Sequence, residues 1–293
     1  MPSTRDIRRR IKSVKNTAQI TRAMQMVASS KMRKAQQLAL AGRPYAALMN
    51  NMLAHVAEHA GDFTHPLMAK RDVRKRAVLL VSTDKGLCGA LNSNLMREAA
   101  KFSKDTTVFV CAGRKGSQFV ARTRRTLAAE FTYKDSPQFG EARAVSRFIQ
   151  EMFVKGEVDH VDILFTNFVN TLTQKPEALP LLPIGELKAV SAGVDSRALG
   201  ATLEKSPLEY LFEPGADKVL GELLPHYLNF QVYQVLLEAK ASEHSSRMVA
   251  MKNATDNAKQ LIKDLTLDYN KLRQANITKE LLEITTAQMA LGN

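Results

Sequence analysis

Two stretches near the chain ends carry apolar residues at spacings of three and four. Between His226 and Leu291 there is neither proline nor glycine, and Pro225 and Gly292 bracket the run as a helix start signal and a C-terminal glycine would. Val232, Val235 and Ala239 open a seam, Ser242, Ser246 and Val249 continue it, and Ala254, Ala258, Leu261, Leu265, Leu272 and Ala275 complete it. That spacing predicts one long helix presenting a narrow stripe to a partner helix. About 65 helical residues at a rise of 1.5 Å would reach roughly 100 Å. Alanine and serine in the seam predict a close approach of two backbones. Glu238, Lys240, Glu243, Lys252, Asp256, Lys259, Lys263 and Asp264 on the flanks predict a solvated face. A long helix within an ordinary bundle is the plainer alternative.

The chain opens with a second such run. Ser3 to Ala41 again lacks proline and glycine, and Ile7, Ile11, Val14, Ala18, Met24, Val27 and Met32 form a stripe with one irregular step. Beyond Gly42 and Pro44 the pattern resumes with Tyr45, Leu48, Met52 and Val56 and stops near Gly61, so Pro44 is expected to kink this helix rather than end it. Two long helices at opposite ends of one chain, each with a seam, pair most simply with each other, antiparallel. At the far end, Ile277, Leu281, Leu282, Ile284, Met289 and Leu291 crowd together with little charge after Glu283. Free termini are usually polar, so this tip is expected to be sheathed by another protein. A tip folded back on the chain's own core is the alternative.

Between Lys70 and about Tyr210 the period changes. Ala77–Thr83 reads as a buried strand, and a glycine-bearing loop over 84–89 leads to a helix over 92–102. Thr106–Cys111 reads as a second strand, followed by a turn at Gly113, a helix through Phe119 and a third strand over Leu127–Tyr133. Glu141–Val154 is an amphipathic helix, and Val161–Val169 and Leu179–Ile184 are later strands. Such alternation predicts an α/β domain with a largely parallel, Rossmann-like sheet. Pro207 and Pro214 mark its exit. The expected fold is therefore α/β, a long antiparallel coiled coil of N- and C-terminal helices plus a central Rossmann-like domain. The expected boundaries are an N-terminal coiled-coil helix over 1–60, the α/β domain over 70–210 and a C-terminal coiled-coil helix over 211–293.

Composition narrows the partners. The 293 residues suffice for a sizeable core, and a formal net charge of +13 favours an acidic protein, nucleic acid or an anionic membrane surface. The first helix concentrates it: Arg5, Arg8, Arg9, Arg10, Lys12, Lys15, Arg22, Lys31, Arg33 and Lys34 against Asp6. Nucleic-acid tethering is one reading, yet no aromatic residue interleaves with these charges to stack on bases. A positive rod passing acidic loops of a protein partner accounts for the charge equally well. No apolar run is long enough to span a bilayer, and the N-terminus lacks the apolar segment of a signal peptide. Cys88 and Cys111, the two cysteines, fit a reducing compartment and are expected as small buried residues.

The candidate chemistry is thin. Gly86 and Gly89 do not make G-x-G-x-x-G, and Gly113-Arg114-Lys115-Gly116-Ser117 is not a P-loop, in which lysine follows the last glycine. His55-Val-Ala-Glu58-His59 matches a zinc-protease pattern and would place both histidines on one helical face. No third ligand is nominated, and surface histidines near the end of a helix are the alternative. No Ser/His/Asp set assembles from spacing, and Cys88 has no evident base. The chain reads as one without a catalytic centre, cofactor or metal of its own.

Four segments carry a resemblance. Asn16–Met32 (NTAQITRAMQMVASSKM) is similar to the N-terminal helix of the gamma subunit of F-type ATP synthases, and Ser82–Gly89 (STDKGLCG) resembles that family's central-domain loop. Ala241–Asn257 (ASEHSSRMVAMKNATDN) is similar to its C-terminal helix, and Ile277–Ile284 (ITKELLEI) to its closing signature. The likeness spans the chain and is bacterial in type, because the inserted redox loop of chloroplast relatives is missing. One departure stands out: the family usually continues Val-Ser-Gly-Ala, and here Thr285-Thr286-Ala287-Gln288 follows. Alanine favours helix over glycine by up to about 1 kcal/mol, which implies a stiffer tip.

The resemblance implies a rotor shaft. Its coiled coil would stand inside a ring of three alpha–beta pairs, and its α/β domain would bind the epsilon subunit and the proteolipid ring. Proton flow would turn the shaft, and catalysis would belong to the beta subunits. By matching position, Met24, Arg247, Gln274, Thr278 and Glu280 are implied contacts to beta-subunit loops, and Lys85 an implied contact to the proteolipid ring. Membrane association would be indirect and peripheral, at the cytoplasmic face of the bacterial inner membrane, with no nucleic acid bound. Two other readings of the residues remain at this point. One is a coiled-coil adaptor that tethers nucleic acid through its basic arm, and the other a nucleotide-dependent enzyme built on the α/β domain.

Overall fold

The computed structural model describes residues 3–42, 44, 45, 48, 49, 52, 53, 65–184 and 215–292. Along the chain come α1 (Thr4–Ala41), β1 (Arg76–Val81), α2 (Leu91–Ala100), β2 (Thr107–Ala112), α3 (Arg114–Arg122), β3 (Thr126–Phe131), α4 (Phe139–Val154), β4 (His160–Phe168), β5 (Gln174–Leu182) and α5 (Ala216–Leu291). They group into two compact units, Ala28–Arg247 and the pair of segments Met1–Val27 and Met248–Asn293.

The larger unit is built on one sheet of order β3-β2-β1-β4-β5. β1 runs parallel to β2 and β4, β3 joins β2 in parallel, and β5 closes the other edge antiparallel to β4. Ala77, Leu79 and Val81 enter a core shared with α4 and α5, while Val78 and Leu80 enter a second core under α2 and α3. A strand buried on both faces is apolar throughout rather than alternating, which is why β1 is visible in the sequence. β5 is longer than expected, starting at Gln174 instead of Leu179. Pro176 and Pro180 hide its first half, and an edge strand tolerates them because one row of its N–H groups needs no partner. The exit prolines Pro207 and Pro214, the boundary near 210, Val56 and the His55–His59 motif lie outside the described residues.

α5 also departs from expectation. It begins at Ala216 and runs through Pro225 rather than starting after it. An interior proline costs about 3 kcal/mol or more. Leu220, Leu224, Tyr227 and Leu228 are all buried in the core around it, and each buried leucine contributes about 1.5–3 kcal/mol, so packing outweighs the break. Further along, Glu238, Lys240 and Glu243 are buried rather than solvated. The seam serines contact the sheet, Ser242 at Thr166 in β4 and Ser246 at Cys88 in the loop after β1, instead of bringing two helices close.

α1 ends at Ala41, and the turn at Gly42 interrupts the helix before Pro44. A Cβ on Gly42 would stand 3.2 Å from Gln234 Oε1, so glycine admits the close approach there. Past the turn the buried residues are Met49 and Leu53, while Tyr45, Leu48 and Met52 are exposed. The expected stripe is turned by one residue, because the helix restarts in a new phase.

In α1 itself one stripe withdrawn from solvent runs through Ile7, Ile11, Val14, Ala18, Thr21, Gln25, Ala28, Met32 and Ala35, with Ser29, Gln36, Leu38 and Ala39 half-buried beside its last turns. This is an unbroken alternation of fours and threes. Met24 and Val27, expected in the seam, are exposed, and polar Thr21 and Gln25 take the intervening places. On α5 the matching set is Met251, Thr255, Ala258, Ile262, Leu265, Tyr269 and Leu272. Leu261 and Ala275, also expected in the seam, are exposed. In the smaller unit Thr21 meets Thr255 across the pair, with the hydroxyls 2.7 Å apart. In the larger, Gly42 lies beside Gln234 and Phe230, and Tyr45 is 2.7 Å from His226 Nε2. Rising numbers on α1 meet falling numbers on α5, so the helices are antiparallel. Stepped from Thr21–Thr255, this register sets Ala18 level with Ala258, Val14 with Ile262, Ile11 with Leu265 and Ile7 with Tyr269. α1 is then exhausted near Leu272, and every described side chain of α5 from Arg273 onward is exposed.

Candidate functional site

In open parallel sheets, ligands bind in the crevice beyond the carboxyl ends of the strands. Here α5 lies across that edge. Ser242 Oγ donates to the Thr166 carbonyl at 2.9 Å, Ser245 Oγ to Thr171 at 2.8 Å and Ser246 Oγ to Cys88 at 2.7 Å. The second glycine-bearing turn, at the start of α3, has its free N–H groups taken by the chain's own groups. The N–H of Arg114 goes to Asp84 Oδ1 at 3.0 Å, that of Lys115 to the Thr83 carbonyl at 3.0 Å and that of Gly116 to Ser82 Oγ at 2.7 Å. These donors are what an anion at a helix N-terminus requires. Gly113 permits this closure, since its φ is +105° and a Cβ would come within 2.2 Å of the Ser82 carbonyl oxygen.

The thiols are in no better position to react. Burial raises the Cys88 pKa and pushes that of Cys111 up to about 12, so both are neutral thiols near pH 7. Among the described residues no three His, Cys, Asp or Glu side chains converge as a metal site would need, and no helix is long and apolar enough to cross a membrane. A surface depression of about 420 Å³ at the opposite edge of the sheet includes Arg74, Arg76 and Lys101. Two of these cations already have partners, Arg76 in Asp162 at 2.9 Å and Lys101 in Glu98 at 2.7 Å.

The expected site residues fall into separate places. Met24 is exposed on α1, 37% accessible. Gln274, Thr278 and Glu280 are exposed on the unpaired end of α5, where the Thr278 hydroxyl donates to the Gln274 carbonyl at 3.0 Å. Arg247 and Lys85 are brought together: Arg247 Nη2 reaches the carbonyls of Lys85 at 3.4 Å and Gly86 at 3.2 Å. Its side chain is only 14% exposed and is paired with Glu243 at 2.8 Å, so much of its charge is spent inside the chain.

Sequence reasoning missed the residues around this pair. Lys240 Nζ, 2% exposed, lies 2.9 Å from Glu243 Oε2 and 3.8 Å from Asp135 Oδ1, and 4.5 Å from the centre of the Tyr133 ring. Asp135 also pairs with Lys31 at 2.5 Å, and that hydrogen bond, ahead of other causes, lowers its pKa. His244 is buried beside them with both ring nitrogens unpartnered. Burial first of all depresses its pKa to about 4, so it is neutral near pH 7. The available signal was a run of alternating charges at helical spacing, which in an isolated helix means a solvated face.

A family profile described as ATP synthase matches residues 3–291. A protein of Opitutus terrae with the name ATP synthase gamma chain is 51% identical over the whole of both chains. The chain belongs to the ATP synthase gamma-chain family. Another gamma chain, from Methylacidiphilum infernorum, is 46% identical, again over the whole of both chains. Among solved structures, a chain of the central stalk and c-ring of the Tetrahymena thermophila mitochondrial ATP synthase is 26% identical, with a TM-score of 0.61 over 80% of this chain and 99% of that one. A chain of the Euglena gracilis mitochondrial ATP synthase, 19% identical, gives 0.68 over 98% and 94% and shares the fold. As a gamma-chain family member this protein is a subunit of an ATP synthase, and its helices and mixed sheet are those of the central-stalk chains.

Proposed function

We propose that the chain is the central rotor shaft of an F-type ATP synthase, coupling rotation of the proton-driven membrane ring to ATP synthesis or hydrolysis at the catalytic beta subunits. The observation that carries this, beyond family membership, is the lone end of α5. Ile277, Leu281, Leu282, Ile284 and Met289 are 44–78% exposed there, on a stretch of helix with no partner among the described residues. Apolar side chains displayed on a bare helix suit a surrounding sleeve of protein, and the alpha and beta subunits, three of each, are the proposed sleeve. Exposed Met24 on α1 and Gln274, Thr278 and Glu280 on α5 are the proposed contacts to beta-subunit loops. At Arg247 the contact would use the part of the guanidinium that Glu243 leaves free. Lys85, exposed at the loop after β1, is the proposed contact to the proteolipid ring, and epsilon is the remaining partner.

The chain acts without a catalytic centre of its own in this reading, because α5 fills the crevice an α/β enzyme would use. It binds no nucleic acid and reaches the membrane only through its partners, at the cytoplasmic face of the bacterial inner membrane. A shaft shifts a beta subunit's nucleotide affinity only by making different contacts with its different states. The test is reconstitution with purified alpha and beta subunits, followed by stoichiometry and ATPase rate. One copy per three alpha–beta pairs, with multi-site hydrolysis that depends on this chain, is expected. No complex, together with salt-sensitive binding to duplex DNA, sinks the reading.

A further inference from the structure

The buried charges of α5 form a line that packing alone does not call for. Lys31 on α1 pairs with Asp135 in the loop before α4, Asp135 with Lys240, Lys240 with Glu243, and Glu243 with Arg247. Arg247 then ends on the carbonyls of Lys85 and Gly86 after β1. One line of alternating charge thus joins two helices and two loops of the larger unit. At Lys240 and Glu243, 2% and 4% exposed, apolar side chains of similar size are commonly as stabilising or more so, because these charges must be stripped of water. What an ion-pair line supplies is geometry. The Lys240 amine, held from its own helix by Glu243, meets Asp135 and the Tyr133 ring together at one rotational setting of α5. On either side of these charges α5 is enclosed on every face, with Leu236, Leu237, Ala239 and Ala241 buried and Ser242, Ser245 and Ser246 bonded to Thr166, Thr171 and Cys88, and the ion pairs add a directional tie to that packing.

We infer that Lys240 is a positioning residue for torque transfer, the centre of a Lys31–Asp135–Lys240–Glu243–Arg247 line that locks α5 and α1 in rotation against the sheet. The inference rests on the shaft reading. A shaft that turns inside its own mounting dissipates work as twist, so loss of the lock uncouples hydrolysis from pumping before it unfolds anything. Lys240→Met is the informative change. It keeps the unbranched stem, one atom shorter and without the charge, and leaves Asp135 with Lys31 and Glu243 with Arg247.

The experiment uses the whole ATP synthase in liposomes and measures ATP hydrolysis and proton pumping on one preparation. For Lys240→Met, hydrolysis within about twofold of wild type, pumping per ATP down by roughly threefold or more, and an unchanged or raised melting temperature of the complex are expected. Lys240→Arg restores pumping. Wild-type pumping per ATP in Lys240→Met overturns the lock. Should Lys240→Met not assemble, Asp135→Asn is read in the same way, and a loss of pumping only in proportion to lost complex overturns it as well. If the wild-type complex itself hydrolyses ATP without pumping, it is the shaft reading that fails.

Discussion

Thr21 and Thr255 face each other with hydroxyl oxygens 2.7 Å apart, in the two places where an apolar seam would put leucine or alanine. Each hydroxyl also reaches a carbonyl of its own helix, Thr21 that of Ala18 at 3.1 Å and Thr255 that of Met251 at 2.8 Å. Two protons therefore serve three contacts. Thr255→Val alone leaves a buried hydroxyl short of a partner and is expected to cost about 1 kcal/mol, whereas Thr21→Val with Thr255→Val is expected to be close to neutral. Denaturant unfolding of the purified chain reads both, and a double variant as unstable as the sum of the two singles contradicts the pairing.

Gly113→Ala is expected to be among the most damaging single changes in the sheet. Its Cβ would meet the Ser82 carbonyl oxygen at 2.2 Å with a φ of +105°, and Tyr133 donates to that same oxygen at 3.0 Å. A loss of about 3 kcal/mol or more is expected, read as a lower unfolding midpoint. Gly86→Ala, which meets nothing within 4 Å, serves as the mild control.

Stability is expected to fall on acidification in a defined window. Burial holds His244 at about 4 against its ordinary 6.5. Between those values the unfolded chain takes up a proton that the folded chain refuses, so stability drops as pH falls from 6.5 to 4 and this contribution levels off below. The drop amounts to about 3 kcal/mol. Asp135, held below 3.8 first by the Lys31 hydrogen bond, adds its own loss only under more acidic conditions. His244→Leu is expected to flatten the upper window, as seen by denaturant titrations at pH 7, 5.5 and 4.

Met24→Lys is expected to spare the fold and impair coupling. The side chain is exposed on α1, so a change in stability of less than about 0.5 kcal/mol is expected. Proton pumping per ATP by the assembled enzyme should fall while assembly persists. Unchanged pumping removes Met24 from the proposed contacts.

Much of this fold is legible in the sequence where apolar residues alone mark a position. β1, β2, α4 and the existence of two long helices follow from runs such as Ala77–Val81 and spacings such as Ile7–Ile11–Val14–Ala18. The misreadings share a cause. Thr21 and Gln25 hold seam positions without being apolar, so a stripe of apolar residues alone takes in Met24 and Val27 from the neighbouring face. Lys240 is buried against Tyr133 and Asp135, about a hundred residues away along the chain, which no local pattern records. Pro225 lies inside a helix because the leucines around it are buried. Of the candidate site, the apolar tip of α5 follows from sequence, whereas the exposure of Met24 runs against the stripe that the spacing predicts. The internal ties of Arg247, to Glu243 and the loop after β1, depend on three segments meeting.

The sheet treats α5 as another α/β protein treats a bound small molecule: polar groups at the strand ends close on Ser242, Ser245 and Ser246, and a loop folds over Arg247. Unlike a small molecule, this guest is tethered by the chain itself. Its effective concentration is fixed by the covalent connection rather than by supply. Its apolar packing and these hydrogen bonds together keep it seated, and it cannot be diluted away or displaced by a competitor at ordinary levels.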